Sequence, residues 1–183
     1  MLTMISILFG LIGCSEKEND TAQVIQQSFI LEEELQGASG CQDFVFYDHN
    51  EGDTISLEIT GSGLAELAYS TGEVQIVEVT LGSENDYEVK VNMGQDLTHR
   101  LCGDVFDPEL ETIIDQTFLP ANGTLTFTVT PGEANEGNFP SQLEVRIQTA
   151  DFCAENGDGS LHHENCFSVS DYVGSAEIGT FHG

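Results

Sequence analysis

Thr54-Ile55-Ser56-Leu57-Glu58-Ile59-Thr60 places an apolar side chain at every second position and a polar one between. A period of two puts Ile55, Leu57 and Ile59 on one face of an extended strand, with Ser56 and Glu58 on the other; a helix of 3.6 residues per turn would scatter them. The pattern recurs along the chain. Tyr87, Val89, Val91 and Met93 alternate with Glu88, Lys90 and Asn92, Leu125, Phe127 and Val129 with threonines, and Leu143, Val145 and Ile147 with Glu144, Arg146 and Gln148. Each run reads as a half-buried strand. Between Glu73 and Leu81 the alternation changes phase at Ile76-Val77, which predicts a β-bulge there.

Turn chemistry separates these runs. Asn50-Glu51-Gly52-Asp53, between Phe44-Val45-Phe46-Tyr47 and the Ile55 run, reads as a hairpin loop, and Gly82-Ser83-Glu84-Asn85-Asp86, Ala121-Asn122-Gly123 and Pro131-Gly132-Glu133 carry similar residues. Roughly seven to nine short strands at such spacing predict an all-β fold. The expected form is an antiparallel β-sandwich, immunoglobulin-like or jelly-roll-like, with at most one or two short helices. The absence of Trp removes one marker of a true immunoglobulin domain. Asp107-Pro108-Glu109 supplies an N-cap, a first-turn proline and an acid ahead of Leu110, Ile113 and Ile114, which suits a short helix or an irregular strand equally. Gly63 to Tyr69 likewise fits a helical turn or an extended edge.

The first residues follow different rules. Residues 1–13, Met-Leu-Thr-Met-Ile-Ser-Ile-Leu-Phe-Gly-Leu-Ile-Gly, are apolar and uncharged and end at Cys14-Ser15-Glu16-Lys17-Glu18-Asn19-Asp20. Such a run is too short to span a bilayer, which takes about 20 apolar residues, and it lacks the polar face of a core helix. It reads as a secretory signal, although no Lys or Arg opens it. Leu11-Ile12-Gly13-Cys14 resembles the lipobox of bacterial lipoprotein precursors. The resemblance covers the first 14 residues and implies cleavage before Cys14 and acylation of its thiol, with several chains giving stable anchoring. It also implies a cell-envelope location, at the outer rather than the inner membrane where the host has two, because Ser15 and not Asp follows the cysteine. The expected organisation is a signal peptide over 1–13, an acidic flexible tether over 14–27 and a β-sandwich domain over 28–183.

Cys41, Cys102, Cys153 and Cys166 remain once Cys14 is set aside, an even set in an exported chain, so two disulfides are expected. Three pairings are open to four cysteines. Cys153 with Cys166 is preferred because the two bracket a short Gly-rich loop, leaving Cys41 with Cys102. Charge narrows the partners: 32 Asp and Glu stand against four Lys and Arg, a formal net charge of −28. No basic patch for nucleic acid can be assembled from so few cations, and anionic headgroups repel such a surface. Acids spread over the whole chain suit a salty or cation-rich exterior, where screening shortens their mutual repulsion.

No nucleophile elbow, His-Glu-x-x-His, P-loop or dinucleotide fingerprint occurs. His99 lies three residues before Cys102, but a disulfide set argues against a thiol nucleophile. The densest polar cluster runs from Asp151 to Cys166. For calcium it offers Asp151, Glu155, Asn156 and Asp158 as hard donors, in an order unlike an EF-hand; for zinc it offers His163-x-x-Cys166 without a Cys-x-x-Cys partner. A disulfide-closed solvent loop explains the same residues. Asp48-His49-Asn50-Glu51-Gly52-Asp53 begins like a calcium loop, yet its glycine and acid arrive in turn order. The expectation is a lipid-anchored envelope protein, not an enzyme, whose β-sandwich binds a partner or serves the envelope structurally. Its contacts would be the membrane, through lipid on Cys14, and an envelope protein or extracellular ligand. A calcium-binding module comes second and an exported hydrolase with an unrecognised site third.

Overall fold

The alternating runs form strands. A computed structural model describes residues 34–99, 101–102, 111–133 and 140–179. In chain order they build β1 (Ser39–Cys41), β2 (Val45–His49), β3 (Ile55–Thr60), α1 (Leu64–Thr71), β4 (Gln75–Leu81), β5 (Glu88–Gln95), β6 (Ile113–Pro131), β7 (Ser141–Glu155) and β8 (Leu161–Ile178). The Asn50–Asp53 segment is the expected hairpin turn: Asn50 N donates to Ile55 O, and Asn50 Oδ1 accepts from Thr54 N and Ile55 N.

All eight strands belong to one antiparallel sheet in the order β1-β2-β3-β5-β6-β7-β8, with β4 also on β6. The start of β6 pairs with β5, Gln95 opposite Ile113 to Val91 opposite Phe118, and its end pairs with β4, Leu81 opposite Gly123 to Gln75 opposite Val129. β5 and β4 therefore lie along one edge of β6, while β7 takes the other. The strands form one continuous sheet, and that sheet does not close into a barrel. The reason is strand length. β6, β7 and β8 span 19, 15 and 18 residues, far beyond the usual five or six, and carry the ladder continuously from one wing of the fold to the other.

The long strands bend where turns were expected. Ala121-Asn122-Gly123 lies inside β6 and does not reverse the chain; its register with β7 slips between Pro120 and Asn122 and again between Thr124 and Leu125. A bulge uses the same backbone freedom as a turn, and Gly123, at φ 133°, supplies it. Across the bend the wings meet: the Phe44 and Tyr87 rings lie 5.3 and 4.9 Å from Phe127, and Tyr172 Oη on β8 donates to Asp48 Oδ2 on β2 at 2.7 Å. Gly174 admits this contact, since a Cβ there would come within 2.8 Å of Phe46 Cζ. One core results, containing Phe46, Leu57, Ile59, Val91, Phe127, Val145, Ile147 and Phe152, all fully buried. Each such side chain contributes about 1.5–3 kcal/mol on leaving water.

Other expectations change in detail. The bulge at Ile76-Val77 is absent: β4 pairs without a shift, Val79 and Leu81 point inward, and Ile76 is 71% exposed. The phase change in sequence is an apolar residue on the outer face. Leu64–Thr71 is a helix, its Leu64, Ala65 and Ala68 buried. Asp43, twenty residues upstream, caps it by accepting from Gly63 N (2.9 Å) and Ala65 N (2.6 Å), a favourable charge at a helix N-terminus. Ile113 and Ile114 open β6 as exposed strand residues and are not helical. The Asp107-Pro108-Glu109 segment, Cys14 and the 14–27 tether lie outside the described residues.

Candidate functional site

Both preferred disulfides are present, Cys41–Cys102 with Cα atoms 5.6 Å apart and Cys153–Cys166 at 4.0 Å. Such bridges mark an oxidising, extracytoplasmic setting. They also remove the thiol nucleophile considered beside His99, because the Cys102 sulfur is bonded. Cys153 and Cys166 face each other directly across β7 and β8. Immediately beyond them the register slips, and Ala154 pairs with His162, so His163, Glu164 and Asn165 bulge from β8.

Between the strands, the turn from Asn156 to Ser160 is held by its own side chains. Asn156 N donates to Ser160 O (2.8 Å), and Asp158 Oδ1 accepts from Ser160 N (3.0 Å) and Oγ (2.6 Å), which holds the Asp158 carboxyl below the usual range. Asn156 Nδ2 donates to Ser160 Oγ. Asp151 looks elsewhere: Oδ1 accepts from Ser168 Oγ (2.6 Å) on β8 and Oδ2 from Asn122 Nδ2 (2.8 Å) on β6, and these bonds, Ser168 first, lower its pKa. Glu155 stands four residues along the strand from Asp151, about 13 Å away. The four donors expected for calcium are thus not brought together. Asp151 is bound to neighbouring strands, Asn156 and Asp158 to the turn, and Glu155 borders an open groove of about 300 Å³ lined also by Asp115, Gln116 and Thr117.

Among the described residues, the His, Cys and acidic groups whose ligand atoms do converge are Cys153, His163 and Cys166, all within 4.8 Å of one another. Cys153 is buried, Cys166 half-buried and His163 exposed. His163-x-x-Cys166 had the pair spacing; Cys153 is the third member, invisible without the β7–β8 register.

A second polar constellation went unread because its residues occupy the alternating face expected to meet water. Glu58 is only 7% exposed, and Ser56 and Asn92 are buried with it. Glu58 Oε1 accepts from Ser56 Oγ (2.9 Å) and Asn92 Nδ2 (2.7 Å), Oε2 lies 3.4 Å from Lys90 Nζ, and Asn92 Oδ1 accepts from Thr117 Oγ1 (2.8 Å). Every partner is local and every bond is made, so the network ties β3, β5 and β6 together as structure. Asp48, from the second calcium candidate, is likewise committed, accepting from Tyr172 Oη and from Gly37 N (2.8 Å).

Comparison of the chain with protein-family models, with curated proteins and with solved structures finds no match in any of the three.

Proposed function

We propose that the chain is a lipid-anchored protein of the bacterial cell envelope whose β-domain acts without catalysis, binding a partner or serving the envelope structurally. The observation that carries this reading is the use of the cysteines. Of five, four are consumed in two mutual bridges, and Cys14 is left at the junction where an apolar run turns polar. An even disulfide set with one cysteine placed at a lipobox-like junction is the pattern of an exported, acylated chain. Among the described residues no helix is long and apolar enough to cross a membrane. The sandwich reading belongs to the same proposal: the two wings of the bent sheet enclose one core, as two layers would, and present their loops at the ends for contact with a partner.

Mass spectrometry of the membrane fraction tests the anchor. The expected amino-terminal peptide begins at an acylated Cys14, and Cys14→Ala moves the protein to the soluble fraction with its melting temperature unchanged. A peptide retaining Met1, or an unmodified Cys14 in soluble protein, refutes the proposal.

A further inference from the structure

The Cys153 and Cys166 sulfurs and a ring nitrogen of His163 lie within 4.8 Å of one another, at a point where β8 bulges for three residues and presents the imidazole. We infer that the Cys153–Cys166 bridge masks a redox-gated site for a thiophilic cation of the zinc class, held by both sulfurs and His163 once the bridge is reduced.

The geometry needs little change. Zinc binds thiolate sulfur at about 2.3 Å and imidazole nitrogen at about 2.0–2.1 Å, so tetrahedral ligand atoms stand about 3.7 Å apart. Sulfurs in a disulfide are about 2.0 Å apart and must separate by about 1.7 Å, a change that side-chain rotation can supply. The imidazole nitrogen lies within 4.8 Å of both sulfurs and has at most about 1 Å to close. Reduction does not dissolve the hairpin, because β7 and β8 pair from Ser141 opposite Ile178 to Phe152 opposite Phe167 without the bridge. The buried Cys153 forms the floor of the site, while exposed His163 and half-buried Cys166 leave the outward side open to a fourth ligand.

Ligand chemistry sets the class of ion. Two thiolates and an imidazole favour zinc or cuprous ions over calcium and magnesium, which take oxygen donors. The chain's formal charge of −28 raises the local concentration of any cation. Gating follows from the bridge, since disulfide sulfur carries no negative charge. A dithiol reductant delivers two electrons and two protons, breaks the S–S bond to give two thiols, and leaves as its own disulfide. A divalent ion then takes two thiolates and the neutral imidazole, releasing two protons to solvent.

The test uses the full chain, oxidised or reduced with a water-soluble phosphine, titrated with cobalt(II) in place of zinc, with circular dichroism following the fold. The expected result is a thiolate-to-cobalt charge-transfer band in the reduced chain only, saturating near about one equivalent and displaced by zinc. His163→Ala should weaken cobalt binding by at least about tenfold, and Cys153→Ser with Cys166→Ser should abolish the band. A reduced chain that gives no band, folded or unfolded, overturns the inference. So does a band undiminished by His163→Ala, or one that survives loss of Cys153 and Cys166 and therefore comes from the remaining cysteines.

Discussion

Tyr172→Phe tests how the two wings of the sheet are joined. Tyr172 is 1% exposed and donates its hydroxyl at 2.7 Å to Asp48, itself 4% exposed and 124 residues away in sequence. The substitution keeps the ring in the core and removes the donor, leaving Asp48 Oδ2 buried without that partner. A hydrogen bond to a charged group contributes about 1.5–3 kcal/mol, and an orphaned buried acceptor carries its full desolvation cost, so the expected loss is about 2–3 kcal/mol. That is a large share of a typical total of about 5–15 kcal/mol. A second consequence appears at high pH. Burial first, then the Asp48 charge and its hydrogen bond, raise the Tyr172 pKa well above the usual tyrosine value of about 10. The folded state therefore holds a proton that the unfolded state releases. The corresponding stability is whole below pH of about 10 and declines above it, by up to about 1.4 kcal/mol per pH unit. Tyr87, also raised by burial and by Asp86, adds to the alkaline decline of both proteins, so only the difference between them reports on Tyr172. Urea unfolding followed by circular dichroism at neutral and alkaline pH measures both effects. A loss under about 0.5 kcal/mol at neutral pH, within the range of ordinary surface substitutions, or parallel alkaline declines, would refute the reasoning.

Non-reducing peptide mapping should return Cys41 with Cys102 and Cys153 with Cys166, and deleting the shorter bridge should cost about 3 kcal/mol against about 4 kcal/mol for the longer, by loop-closure entropy. Any peptide joining Cys41 to Cys153 or Cys166 contradicts the register of β7 and β8. The melting temperature should rise from low to moderate sodium chloride, because 32 acids face four Lys and Arg and screening shortens their repulsion; a flat or falling trend would mean the acids are compensated locally. In matched calcium and magnesium solutions the oxidised protein should melt alike, and Asp158→Asn should leave that equality intact, since the Asp158 carboxylate serves the turn at Ser160. A calcium-selective gain that Asp158→Asn abolishes would restore the calcium reading.

Strand identity was legible because a half-buried strand imprints a period of two, and Leu125-Phe127-Val129 and Leu143-Val145-Ile147 are inward-facing as read. Strand length was not. Asn122-Gly123 is turn chemistry in isolation, and only the pairing of β7 along both halves of β6 converts it into a bulge within a single 19-residue strand. That one substitution of bulge for turn keeps the strands in one continuous sheet. The outer face of β3 was misread for a related reason: Ser56 and Glu58 look solvated by residue type, yet Asn92, Lys90 and Thr117 arrive from neighbouring strands to satisfy them in burial. The helix beginning at Leu64 was ambiguous in sequence because its cap, Asp43, lies in the distant β1–β2 turn.

The polar loop illustrates a competition that residue counts cannot express. Asp151 and Asp158 are good oxygen donors for a metal, but hydroxyl and amide hydrogens already bond their carboxylate oxygens, and Asn156 is tied into the turn through its Nδ2, which donates to Ser160 Oγ. Abundance works against assembly, since every additional carboxylate brings repulsion as well as a ligand atom. Sulfur and imidazole face a different competition. Cys153 and Cys166 are opposed by strand register, and the neighbour within 4.8 Å of both sulfurs is the imidazole that the bulge delivers. A spacing of His-x-x-Cys brings two side chains together on a helix, whereas on a strand it separates them unless the chain bulges between. The register slip after Cys153 is therefore the feature that turns a disulfide-stapled hairpin into a candidate ligand set, and it is a property of the paired strands rather than of either segment alone.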